Sequence, residues 1–174
     1  MNYYVIQVKT RGEKEYLDRA QKRFQNGDVH LLWPRRNLRI RRRGEWLDTV
    51  SPIFPSYLFL EAEDVTPEMY ETFRKIPGFY HFLPNNRNIT PLSEGDRTIL
   101  MHFLSFGEVV DKSVVMFDRD KRIRVISGPL KGMEGRIVKV DRRKERARVK
   151  LDMYENSFLI DFGFEALDNI GESR

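Results

Sequence analysis

The sequence predicts an α+β fold in two parts: an antiparallel sheet covered by helices, then a small β-barrel. Three observations carry this. Residues 1–104 alternate strand-like apolar runs with stretches whose apolar residues recur at helical spacing. From Asp118 onward, short runs rich in β-branched residues follow one another with turn residues between them, and no helical stretch fits. Charge also changes sign in blocks. Residues 1–60 carry 12 basic and 6 acidic side chains, 61–118 carry 5 and 10, 119–150 carry 13 and 4, and 151–174 carry 1 and 6. Two electropositive regions on two modules follow: 1–104 and 118–174, with 105–117 as a linker too apolar to be purely flexible.

The elements read in order as follows. Tyr3 to Val8 is β-branched and aromatic, a buried strand that Gly12 ends. Between Glu13 and Phe24, the residues Tyr16, Leu17, Ala20 and Phe24 share one helical stripe. Asn26-Gly27-Asp28 stops that helix. A strand from Val29 to Trp33 breaks at Pro34. Leu38-Arg39-Ile40-Arg41 has the period-two pattern of a half-buried strand, Arg43-Gly44-Glu45 turns, and residues 45–50 return as a hairpin arm. Tyr57 to Leu60 is a strongly apolar strand. Thr66-Pro67-Glu68 opens a second helix with a hydroxyl cap, proline in the first turn and an acid at the positive end of the dipole. Phe79 to Leu83 is another strand, and Ser93 with Asp96 resembles a capping box opening a third helix. In the second module, strands fall at 123–126, 136–140, 147–151 and 157–162.

Composition excludes several classes of function. The chain has no cysteine, so disulfides, thiolate metal sites and cysteine nucleophiles are absent and a cytoplasmic setting is expected. No apolar run approaches the ~20 residues of a membrane span, and the first residues lack a secretory signal pattern. His30, His81 and His102 are dispersed without metal-ligand spacing. The glycine-rich stretch from Gly128 to Gly135 lacks the phosphate-loop pattern and reads as tight turns between barrel strands. The sequence therefore predicts no catalytic residues, no metal and no cofactor: a binding protein rather than an enzyme.

Two segments carry a family likeness. Pro52-Ile53-Phe54-Pro55-Ser56-Tyr57-Leu58-Phe59-Leu60 resembles the signature of the NusG amino-terminal (NGN) domain, and Ile76-Pro77-Gly78-Phe79 and Pro91-Leu92-Ser93 follow in that family's order. Residues 122–149 resemble a complete KOW motif, which implies an SH3-like barrel. The likeness spans about residues 3 to 170. The basic hairpin, the link at 105–115 and the wording of the KOW segment are most similar to a specialised paralogue of the LoaP type.

The resemblance implies a transcription elongation and antitermination factor that binds RNA polymerase as a monomer and suppresses pausing and termination. By alignment, Phe54, Tyr57, Phe59 and Phe82 fall in the polymerase-binding patch, and Thr66 falls at the helix start facing the polymerase gate loop, where Pro67 departs from the threonines of RfaH. Phe59 and Phe82 also fit a plain core role. Tyr57 is expected at the surface, with an aromatic body and a polar tip. Met153 and Tyr154 fall at the barrel loop that docks a small-subunit ribosomal protein or Rho, and both are expected to be exposed beside the turn at 155–157. The β-branched barrel residues predict permanent strands, unlike the helical hairpin of RfaH.

The basic residues themselves predict nucleic-acid binding, to an RNA hairpin or to non-template DNA. Arg11, Lys14, Arg19, Lys22 and Arg23 lie off the apolar stripe of the first helix, and Arg35, Arg36, Arg39, Arg41, Arg42 and Arg43 crowd the hairpin. Arginine pairs bidentately with phosphate and stacks on bases. Six phosphate contacts would give a salt slope of about −5 on duplex DNA. Arg142 to Lys150 reads equally as a solvated barrel face. The competing functions are a general housekeeping NusG factor and a ribosome-associated KOW RNA-binding protein.

Overall fold

All the strands and helices expected above form, and four short strands join them, in the computed structural model, which describes residues 1–25, 27 and 29–168. The order is β1 (Asn2–Val8), α1 (Glu13–Arg23), β2 (His30–Leu32), β3 (Arg35–Arg42), β4 (Glu45–Pro52), β5 (Tyr57–Ala62), α2 (Pro67–Arg74) and β6 (Phe79–Phe82). It continues with β7 (Pro84–Asn85), β8 (Asn88–Ile89), α3 (Glu94–Leu104), β9 (Val109–Val110), β10 (Ser113–Phe117) and β11 (Ile123–Ser127). After a 3-10 turn at Glu134–Arg136 come β12 (Ile137–Asp141), β13 (Arg146–Met153) and β14 (Asn156–Ala166). Of the helix stop at 26–28, Asn26 and Asp28 lie outside the described residues.

The chain divides into two compact units. One is Met1–Trp33 with Phe54–Leu100; the other is Pro34–Ile53 with the chain from Met101 onward. The β3–β4 hairpin, which the sequence places in the first module, thus groups with the second. The apolar link at 105–117 supplies β9, which pairs with β3 at Arg35 and Arg36, and β10, an inner strand of the barrel sheet. Apolar segments of this kind fold because they have strand edges to cover.

In the first unit the sheet runs β2-β5-β1-β6, with β1 antiparallel to both neighbours. Its two inner strands are buried on both faces. On one face Tyr4, Ile6, Val8, Leu58 and Leu60 pack with Tyr16 and Ala20 of α1, Phe73 of α2 and Phe82. The opposite face carries Tyr3, Val5, Tyr57 and Phe59, with Phe54 edge-on to Phe59 at 5.6 Å and Arg97 of α3 over Tyr3 at 5.3 Å. The Tyr16 hydroxyl donates to the Phe73 carbonyl at 2.8 Å, and burial pushes its pKa upward. Both expected caps form: Thr66 Oγ1 accepts from Met69 N at 3.2 Å, and Ser93 Oγ from Asp96 N at 3.2 Å.

In the second unit the five-stranded sheet β11-β10-β14-β13-β12 curls into a small SH3-like barrel. Along β13, Ala147, Val149, Leu151 and Met153 alternate inward. One glycine of the expected turn loop is required by packing. Gly128 has φ +98°, and a Cβ there would stand 2.7 Å from Ser113 Cα. Ser113 is fully buried, and its Oγ accepts from Leu130 N at 2.9 Å.

Candidate functional site

The signature segment is held by the start of α1. Ser56 has φ 70°, and its amide donates to the Glu13 carboxylate at 2.9 Å while its hydroxyl meets Thr10 Oγ1 at 2.7 Å. Glu13 is 3% exposed, so the bond is dry and charge-assisted. Glu13→Ala is expected to destabilise the amino-terminal unit by about 2 kcal/mol, measured by denaturant unfolding, with faster amide exchange at Ser56.

Burial revises the expected polymerase patch. Phe54, Tyr57, Phe59 and Phe82 are all 3% exposed or less. Tyr57 is therefore not the surface residue expected: it opens β5, an inner strand covered on both faces. Thr66 is exposed, but its hydroxyl caps α2. Tyr80, which the sequence did not single out, is 53% exposed. Ile6 pairs with Phe82, Gln7 with His81 and Val8 with Phe79, so Tyr80 is the extra residue of a β-bulge. The bulge lets Phe79 and Phe82 meet at 5.9 Å while Tyr80 stands out.

The barrel loop is also revised. Tyr154 and Glu155 have φ 52° and 63° in a two-residue turn between paired Met153 and Asn156. Tyr154 is half-buried, whereas Met153, expected to be exposed, is fully buried as the last inward residue of β13.

The basic residues separate into distinct environments. On α1, Lys14 bonds Asp18 at 2.8 Å and Arg19 bonds Glu15 at 2.5 Å, while Arg11, Lys22 and Arg23 are exposed. These belong to the first unit and the hairpin to the second. In the hairpin, Arg43 and Gly44 both have positive φ, forming the tight turn expected there. Arg36 is withdrawn from any ligand role. It is 8% exposed, and it donates to the carbonyls of Asp161 and Pro52. Burial lowers its pKa to about 10. Arg35 is half-buried beside Glu108 at 3.8 Å. Arg39, Arg41, Arg42 and Arg43 remain exposed, and the Arg39 guanidinium lies 5.2 Å from the Trp46 ring centre.

The barrel's own basic cluster reaches the hairpin. Arg146 donates to the Arg39 carbonyl at 2.6 Å and stands 3.9 Å from Asp161, whose carboxylate also accepts from Arg148 at 2.8 and 3.3 Å. The Arg148 hydrogen bond holds the Asp161 carboxyl below the usual range, against the opposing effect of burial. Among the described residues no cluster of acids and histidines could hold a metal ion, and no helix is long and apolar enough to cross a membrane.

Comparison with known proteins agrees with this architecture. The family model described as "Transcription termination factor nusG" matches residues 1–101, and that of the KOW motif matches 119–152. The transcription termination/antitermination protein NusG of Neisseria meningitidis is 22% identical over 174 residues, covering 97% of each chain. The protein of the same name from Bacillus subtilis is 21% identical over 177 residues, covering 97% of this chain and 98% of its own. A solved structure described as "Domain interaction in Thermotoga maritima NusG" shares the fold with a TM-score of 0.59 at 17% identity, covering 93% of each chain. With a model match over more than half its length, the chain belongs to the NusG family of transcription termination and antitermination factors.

Proposed function

We propose that this chain is a specialised antiterminator that acts by binding and not by catalysis. It binds RNA polymerase in the cytoplasm as a monomer through the amino-terminal domain, suppresses pausing and termination, and grips nucleic acid with its basic hairpin. The observation that carries the reading is the hairpin itself: Arg39, Arg41, Arg42 and Arg43 are exposed on a strand pair whose root is fixed by buried Arg36.

The buried ring of Phe82 supports the polymerase-binding face from beneath, while Phe54, Tyr57 and Phe59 pack the opposite face of the same sheet. Exposed Tyr80 touches the polymerase, with Thr66 at the start of α2. A large exposed aromatic on a charged module suits the docking of an amphipathic helix. Tyr154, with Met153 supporting it from inside, presents the barrel to a small-subunit ribosomal protein or Rho. With Arg36 buried and Arg35 paired, the hairpin supplies four phosphate contacts and not six, for a salt slope of about −4 on duplex and about −3 on single strands.

The test is retention of core RNA polymerase on the immobilised chain, together with transcription across a terminator in its presence. Retained polymerase and increased read-through are expected, with both reduced by Tyr80→Ala. If ribosomes were retained and polymerase were not, the conclusion would pass to a ribosome-associated role.

A further inference from the structure

We propose that the hairpin and the barrel's basic turn form one cleft for single-stranded nucleic acid, in which a base stacks on Trp46. This rests on the nucleic-acid part of the function proposed above and says where and in what form the strand binds.

The cleft lies wholly within the second unit. Its larger hollow, of about 600 Å³, is lined by Ile40, Arg41 and Trp46 from the hairpin and by Asp141, Arg143, Lys144 and Arg146 from the barrel. A second hollow of about 180 Å³ is lined by Arg39, Trp46 and Glu145, and again by Arg143, Lys144 and Arg146. The two basic blocks, about a hundred residues apart in sequence, thus converge on one tryptophan.

The chemistry selects the occupant. Trp46 is 42% exposed and sits opposite Arg41 in the hairpin register, with the Arg39 guanidinium against its ring. An aromatic ring walled by cations suits an unpaired base and its phosphates. A duplex hides its base faces in the stack and cannot place one in a recess. The acids do not cancel the charge. Asp141 and Glu145 are the acids that line the two hollows, and Arg39, Arg41, Arg143, Lys144 and Arg146 outnumber them. Arg142 is excluded from the cleft, since its guanidinium lies 4.2 Å from the Phe117 ring centre.

Fluorescence anisotropy with labelled single-stranded RNA, single-stranded DNA and a duplex of the same sequence tests this without polymerase. The expected result is tighter binding of one or both single strands than of the duplex. Trp46→Ala should lower that affinity about 10-fold while Trp46→Phe keeps most of it. Arg143→Ala/Lys144→Ala should reduce the salt slope by about 1.4. Trp46 is a half-exposed surface residue, so thermal melting of its variants should match wild type. Equal affinity in Trp46→Ala, or preference for the duplex, would overturn the cleft while leaving the basic hairpin intact. Absence of any nucleic-acid binding would overturn both, and polymerase retention, measured separately, would stand or fall by itself.

Discussion

Replacing Phe82 with alanine should melt the amino-terminal unit before it reveals anything about polymerase binding. The ring is fully buried. Its centre lies 5.8 Å from Phe73, 5.9 Å from Phe79 and 6.2 Å from Tyr70, and its strand position pairs with Ile6 at the middle of the sheet. Truncating such a side chain loses its transfer free energy and leaves a cavity that three aromatic neighbours cannot refill. The loss is about 3–5 kcal/mol, or a fall in Tm of about 15 °C or more for a unit of this size. Phe82→Leu should recover most of that loss. Tyr80→Ala, two residues away on the bulge, should change stability by about 0.5 kcal/mol or less. The pair separates scaffold from surface. A Phe82→Ala protein that melted like wild type would refute the packing argument, whatever its affinity for polymerase.

That contrast also shows what the sequence could convey. Strands and helices were legible because apolar spacing and capping residues are local: Thr66 and Ser93 make the hydrogen bonds their positions foretold. Met153 was legible in principle too, since it continues the inward alternation of Ala147, Val149 and Leu151, but proximity to a turn outweighed that alternation in the reading. The burial of Tyr57 and the exposure of Tyr80 were not legible, for a different reason. Whether Tyr57 is covered depends on layers packed on both faces of β5. Whether Tyr80 is exposed depends on a bulge whose partner, at Gln7 and Val8, lies about seventy residues earlier. Neither can be seen in a short window. The convergence of Trp46 with Arg143 and Arg146 is of the same kind: composition counted the charges correctly, but only the fold shows which of them meet.

Arg36→Ala is expected to be the most damaging change in the hairpin, although Arg36 is the arginine with least access to a ligand. Its guanidinium binds two backbone carbonyls, of Asp161 in β14 at 2.5 Å and of Pro52 in β4, and lies 5.7 Å from the Phe162 ring centre. Desolvating this cation is costly, and burial is why its pKa is lowered to about 10; the nearby Asp161 carboxylate only partly offsets that. Alanine would remove the cation but leave both carbonyls without those donors, open a cavity beside Phe162, and set Asp161 among fewer cations. The expected loss is about 3 kcal/mol. Arg36→Lys should recover only part of it, because a single ammonium cannot span both carbonyls in the plane of the fork. Denaturant unfolding and amide exchange along β3 and β14 would measure this; unchanged exchange in β3 would show that the hairpin is held by its strand pairing alone. A pH signature accompanies it. The Asp161 carboxyl has a lowered folded pKa, first through the Arg148 hydrogen bond, so its stabilisation is present above the ordinary carboxylate range and lost as pH falls through the folded value. Stability should therefore decline below about pH 4, and Asp161→Asn should flatten that acid limb while lowering stability at neutral pH. Arg36 adds no slope there, since it stays charged in both states at every pH well below 10. The hairpin's exposed arginines can then be varied freely for binding, because the residue that fixes their strand to the barrel is a different one.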